Sequence, residues 1–255
     1  MLKNHFNIVW LRGVNALKAD MENTYLGTVW WVMEPLLLTG LLYFAFASGF
    51  RGNQAGAEFL AFLLCGMLPF KWFASSISNS AESIVNNKGI LGQFYLPKWI
   101  FACSINLSML LRFICVLPIL FGALWLSGFA PTAAWIGLIP VIFSQLIINL
   151  GLSLLAAATI PLIPDLRHLV PLCVTGVLFT SGIFFDISSR PSEVQELLLL
   201  NPYAEIFDSY RKVLLENQIP EIGDLAYPFI IGAISLFSSL VLIKILDRTY
   251  PRVLL

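Results

Sequence analysis

The chain has 255 residues, 58% of them hydrophobic and only 12% charged, with 15 basic and 15 acidic side chains that cancel. A neutral, strongly apolar chain lacks the basic surplus that nucleic-acid binding demands. Its four cysteines, Cys65, Cys103, Cys115 and Cys173, sit in or beside apolar runs without paired spacing, as small hydrophobes do rather than a disulfide framework or a metal site.

In residues 1–27, Phe6, Val9, Trp10, Gly13, Val14, Leu17 and Met21 recur at helical spacing, with Asn7, Arg12, Lys18 and Glu22 elsewhere. This pattern predicts an amphipathic helix lying along the inner membrane surface, with Trp10, Trp30 and Trp31 at headgroup level. Met1 to Glu22 offers no uninterrupted apolar core with a cleavage site, so no secretory signal is expected.

Six apolar runs follow, near the roughly 20 residues that cross a hydrocarbon core: Thr28 to Phe50, Phe59 to Ser80, Trp99 to Leu126, Ala133 to Ile163, Leu169 to Phe185 and Leu225 to Ile243. No Asp, Glu, Lys or Arg lies between Arg112 and Asp165, and Gly128, Pro131 and Thr132 fold that stretch into two crossings. The fifth run is the shortest, and Pro171, Gly176 and Gly182 make it the least regular. Strand alternation is absent, which argues against a closed β-barrel. The fold class expected is an all-α integral membrane protein with six transmembrane helices in a single domain over 1–255. It comprises the interface helix (1–27), spans one to five (28–185), an outward segment (186–224), span six (225–246) and a tail (247–255).

Charge sets the orientation, because Lys and Arg near span ends stay in the cytoplasm. With both termini inside, that face receives Lys3, Arg12, Lys18, Lys88, Lys98, Arg167, Lys244, Arg248 and Arg252. The other face holds Arg51, Arg190, Arg211 and Lys212 against Glu58, Asp186, Glu193, Glu196, Glu205, Asp208, Glu216, Glu221 and Asp224.

The outward segment carries two short helical stripes. Pro191 and the capping-box pattern Ser192-x-x-Gln195 start a helix with Val194, Leu197 and Leu198 on one face. Asn201-Pro202 interrupts it, and Ile206, Phe207, Tyr210 and Leu214 form a second stripe. Such amphipathic or re-entrant helices dip into the outer leaflet, close a channel mouth, or cap the surface.

Tyr25-Leu26-Gly27-Thr28-Val29-Trp30, with Pro35 beyond, leads into span one; Leu64-Cys65-Gly66-Met67-Leu68-Pro69-Phe70 lies in span two, with Trp72-Phe73-Ala74-Ser75-Ser76 and Asn79-Ser80 after it. Asn86-Asn87 with Leu96-Pro97, Asp165-Leu166-Arg167, and Asn201-Pro202 followed by Arg211 complete an ordered set. Together they resemble the membrane subunits of ABC-2 exporters for bacterial surface polysaccharides, the O-antigen branch above all. Where that family carries basic residues before the Leu-Gly, this chain has Asp20-Met21-Glu22.

The resemblance implies a half-transporter of the bacterial inner membrane: two copies of the chain, two ABC ATPase subunits, and an undecaprenyl-diphosphate-linked polysaccharide as passenger, with capsule or teichoic acid exporters as the nearest alternatives and drug or lipid exporters next. The chain contains no Gly-x-x-x-x-Gly-Lys-Ser/Thr loop, so no cofactor is expected in it, and ATP and Mg belong to the partner. Docking falls to two inward loops, with Ser83, Ile84, Asn86, Asn87, Lys88, Ile90 and Leu91 in the first and Asp165, Arg167 and His168 in the second. Leu26 and Gly27 join the interface helix to span one, and the gate reading falls on Leu197, Asn201, Pro202, Phe207 and Tyr210.

A sugar chain needs aromatic faces and polar rims along its path. Candidates are Thr39, Gly40, Tyr43 and Phe46 or Ala47 in span one, Trp72, Phe73 and Ser76 in span two, and Thr175, Phe179 and Gly182 in span five; the same stripes also suit helix packing. The i+4 ladder Gln145, Asn149, Ser153, Ala157 is assigned to packing. Three ionisable residues fall within spans: Glu34, near the inner surface and able to pair with a base, and Lys71 and Arg112, with no acid level with either. Arg112 is the better lure for an anionic passenger. An intramembrane enzyme would need a clustered constellation. His5 and His168 lie in inward segments and no two acids share a span, so no catalytic or metal site is assigned.

Overall fold

The computed structural model describes residues 2–22, 25–49, 56–93, 95–247 and 249–250, with side chains from residue 5 onward except over 46–49. The elements in order are α1 (Leu2–Glu22), α2 (Val29–Gly49), α3 (Ala57–Ala81), α4 (Ser83–Asn86), α5 (Lys88–Leu91), α6 (Trp99–Leu126), α7 (Leu138–Thr159), α8 (Leu166–Thr180), α9 (Ser192–Leu199), α10 (Pro202–Leu214) and α11 (Ile222–Ile245). A 3-10 turn over Ala133–Gly137 leads into α7.

Among the described residues, four helical stretches are long and apolar enough to cross a membrane: Ala57–Ala81, Trp99–Leu126, Ala133–Thr159 and Ile222–Ile245. Two shorter apolar helices, Val29–Ala45 within α2 and Leu166–Thr180, stand where spans one and five are expected. The 15 residues of α8 reach about 22 Å at 1.5 Å per residue, short of the ~30 Å core. Gly182, at φ +66, turns the chain after α8, and a Cβ there would meet Ile187 at 2.7 Å.

Packing follows from small residues. α7 and α11 cross at Gly151 and Gly232: a Cβ on Gly151 would lie 2.7 Å from the Gly232 carbonyl, and one on Gly232 would lie 2.7 Å from the Ile148 nitrogen. Such close backbone approach is what associates helices in lipid, where burial of apolar surface supplies little. α3 is the centre of the domain, with Leu63, Leu64, Met67, Phe70, Trp72 and Phe73 buried against neighbouring helices. A second cluster, at the start of α6 and the ends of α7 and α11, gathers Ile84, Ala102, Leu154, Ala157, Ala158, Ile243 and Tyr250.

α1 is helical, as its periodicity predicts, and packs along α6. It runs lengthwise beside the first half of α6 in the same direction: His5 meets Trp99, the Arg12 guanidinium lies over the Phe101 ring, and Asp20 pairs with Arg112. Gly13 permits this approach, since a Cβ there would come within 3.0 Å of the Ser104 carbonyl. Trp10 is left half-exposed on the far side. Leu26, exposed, and Gly27, at φ +48, form the turn from α1 into α2, a backbone conformation that favours glycine.

Candidate functional site

Four ionisable side chains of α1, α2, α3 and α6 pair across helices. Lys71 of α3 donates to Glu34 of α2 at 2.5 Å, and Arg112 of α6 is ion-paired with Asp20 of α1. The expectation that neither base has an acid level with it is therefore corrected. Asp20 and Glu34 are 14 positions apart in sequence; Asp20 reaches Arg112 from α1, while Glu34 lines, together with Lys71 and Arg112, one crevice. Its walls are Trp31, which lies 4.9 Å below the Arg112 guanidinium, and Trp72, stacked at 4.6 Å on Phe113. Charges at membrane depth are costly unless paired, and here each has a partner.

The segment expected to face outward folds back into the domain through α10. α10 buries Tyr203, Ile206, Phe207, Tyr210, Val213 and Leu214 against α3, α7 and α11. Tyr203 donates its hydroxyl to Asn149 at 2.9 Å, Tyr210 donates to Gln145 at 2.8 Å, and Gln145 donates to the Pro69 carbonyl at 2.8 Å. Ser153 reaches the Ser76 carbonyl at 3.2 Å. The ladder of α7 is thus a packing device, as its spacing suggests. Asn106, buried and donating to Ser80 at 3.0 Å, belongs to the same polar spine; only its being an amide within an apolar run could have flagged it.

The proline at 202 begins α10, and Asn201 caps it, accepting from the Tyr203 N–H while donating to Thr180 and Ser181 at the end of α8. The capping box expected at Ser192 does not form. Pro191 is the cap residue and has no N–H to offer, so Gln195 donates instead to the carbonyls of Ser188 and Arg190. α9 buries none of its residues, and Leu197 is 68% exposed.

The channel candidates divide by exposure. Thr39 is buried with its hydroxyl on the Pro35 carbonyl, Trp72, Phe73 and Ser76 are buried within the chain, and Tyr43 packs 6.0 Å from Phe59. The Phe46 side chain lies outside the described residues, as does that of Ala47. Thr175 and Phe179 lie exposed on α8, none of whose residues is buried. A recess of ≈ 320 Å³, lined by Ile77, Leu155, Thr159, Val170 and Val174 among others, separates α8 from α3 and α7. α2 shows an exposed face as well, at Trp30, Met33, Leu37 and Leu41.

The first of the two loops expected to dock the ATPase forms two four-residue helices broken at Asn87, which accepts from Arg12 at 2.8 Å and donates to the Ser83 carbonyl at 2.7 Å. Ser83 and Ile84 are buried; Asn86 and Lys88 are exposed, and Ile90 and Leu91 are half-buried. In the second loop Asp165, Arg167 and His168 are all exposed. Lys98, only 2% exposed, pairs with Asp247 at 2.5 Å.

A family model described as ABC-2 type transporter matches residues 8–215. The chain belongs to this family. Among its relatives, the O-antigen export system permease protein RfbA of Klebsiella pneumoniae is 27% identical over 204 residues, covering 80% of this chain and 78% of the relative. RfbA of Myxococcus xanthus is 26% identical over 80% of this chain and 79% of its own. The polysialic acid transport protein KpsM of Escherichia coli is 24% identical over 86% and 85%.

As an ABC-2 membrane subunit, the chain brings two of its sequence motifs into contact. Gly66 faces Arg211, which is 5% exposed, lies 3.6 Å over the Phe62 ring and donates to the Ile183 carbonyl at 3.2 Å. A Cβ on Gly66 would stand 3.0 Å from that guanidinium. Counting Arg211 with the exposed outward charges misses this, because a base in a loop-like segment gives no sign that the segment folds inward. Among the described residues no group of three or more His, Cys, Asp or Glu could hold a metal.

Proposed function

We propose that this chain is the permease half of an ATP-driven exporter that moves a lipid-linked polysaccharide, with an O-antigen on undecaprenyl diphosphate as its passenger, across the bacterial inner membrane. The observation that carries this is the likeness to RfbA proteins over about four-fifths of both chains, joined to the ABC-2 match. KpsM, matched over a slightly larger share, supports a capsule polysaccharide as the second reading.

Two copies assemble with two ATPase subunits, both termini in the cytoplasm. The exposed faces of α2 and α8 suit a second copy and a passage between copies, and the recess behind α8 leaves that helix room to shift. Asn86, Lys88, Asp165, Arg167 and His168 present polar groups to the ATPase. In this scheme α10 is a fixed plug beneath the outer surface and α9 the mobile rim.

Reconstitution with the companion ATPase in proteoliposomes, with the glycolipid supplied on one side, tests the proposal. ATP-dependent appearance of the polymer on the other side is the expected result. Absence of movement, or movement by this chain alone, overturns it.

A further inference from the structure

The crevice between α2, α3 and α6 holds donors that its own carboxylates do not use. Arg112 Nε and Trp72 Nε1 are both buried without a hydrogen-bond partner, and both residues line the crevice. Lys71 stands in the same wall. Unsatisfied buried donors call for acceptors, and guanidinium, ammonium and indole N–H together offer what a phosphate takes: several donors and positive charge, with the fork of Arg suited to two oxygens at once.

The two ion pairs are asymmetric in a way that fits exchange. Lys71 and Arg112 are 33% and 24% exposed, whereas Glu34 and Asp20 are 55% and 46% exposed. The bases are set in α3 and α6, which pack with one another and with α7; Glu34 comes from α2, which packs less extensively on α3 and α6, and Asp20 from the end of α1, which packs closely along α6. With the Glu34 carboxylate in place the crevice has ≈ 40 Å³ left, so a headgroup enters by taking its position beside Lys71 and by competing with Asp20 for Arg112. The rim of α2 beside Glu34 is apolar and exposed at Met33, Leu37 and Leu41, a surface for hydrocarbon chains rather than for a free ion.

We propose that this crevice binds the phosphate-bearing headgroup of a membrane lipid, held by Lys71, Arg112 and Trp72, with Glu34 and Asp20 as internal stand-ins that the headgroup displaces. The site stands on its own geometry; only the identification of that lipid with the diphosphate anchor of the passenger rests on the export reading.

The test uses the full chain in phosphatidylcholine nanodiscs doped with phosphatidylglycerol, with bound lipid counted by native mass spectrometry and melting temperature followed in parallel. Lys71→Gln with Arg112→Gln should weaken phosphatidylglycerol retention about tenfold, while Lys71→Arg keeps it. Asp20→Asn with Glu34→Gln should strengthen retention about threefold, because an internal competitor is gone; Glu34→Gln alone gives the same sign if the double variant folds poorly. A merely structural pair predicts no gain from removing the acids. Retention unchanged or weakened by the acid variants, or unaffected by the base variants, overturns the proposal. Displacement by farnesyl diphosphate below the concentration at which inorganic diphosphate acts identifies a lipid diphosphate; displacement by inorganic diphosphate just as readily points to a free anion and overturns the lipid assignment. If binding behaves as expected while export fails, the site stands and the export reading falls.

Discussion

Asp20 near the end of α1 is ion-paired with Arg112 of α6, 92 positions along the chain. The acidic residue stands where the polysaccharide-exporter resemblance leads one to expect bases. Its position beside Arg112 gives that departure a physical reason: it neutralises a base that α6 carries into apolar surroundings.

Replacing Asp20 by Ala should lower the melting temperature, by the equivalent of up to about 3 kcal/mol, since it leaves the Arg112 guanidinium without its partner in apolar surroundings. Asp20→Arg should cost more through like-charge repulsion, and the exchange Asp20→Arg with Arg112→Asp should recover most of it. Thermal melting of the four proteins in one detergent checks the cycle.

Gly232→Ala should be among the most damaging single-methyl changes in the domain. The added carbon would sit 2.7 Å from the backbone nitrogen of Ile148, which cannot rotate aside. Overpacking of this kind costs roughly 1–3 kcal/mol. Gly89→Ala, where a Cβ meets nothing within 4 Å, is the control, and a melting temperature equal to that of Gly232→Ala would refute the close crossing.

Tyr210→Phe removes the donor to Gln145 and leaves a buried amide oxygen unsatisfied, which costs about 1–3 kcal/mol. Gln145→Leu in addition removes the orphaned group, so the double variant should be more stable than the sum of the single losses. A double-mutant cycle by thermal or chemical unfolding reads this coupling.

Glu205 has its carboxyl pKa raised by burial first and by nearby Asp224 next. A raised folded-state pKa means that the stabilising form is the protonated one: the contribution is complete below the unfolded value and is lost as pH rises through the folded one. Glu205→Gln should therefore raise the melting temperature at pH 7 and leave it unchanged at pH 4. Equal shifts at both pH values would show that the carboxylate charge is not responsible.

Hydropathy located the helices of this domain to within a few residues, because roughly 20 apolar residues in a row have few other uses. The run expected at 28–50 contains α2 (Val29–Gly49), and that at 99–126 coincides with α6. What periodicity could not show is which polar groups meet across helices. Tyr210 and Gln145, or Lys71 and Glu34, look like isolated polar residues until the helices are placed side by side. The direction of α1 was equally hidden: an amphipathic stripe serves a headgroup layer and a neighbouring helix equally well, and Gly13 was the one residue in it that favoured the helix.

The side-by-side course of α1 and α6 has a mechanical consequence. Arg12 fastens α1 to Asn87 at one corner of the domain, and eight residues further on Asp20 fastens it to Arg112. Between those two anchor points runs unbroken helix about 12 Å long, stiff along its axis. A shove delivered to the corner at Asn87 therefore arrives at Arg112 as a translation of similar size, with no joint between them to absorb it.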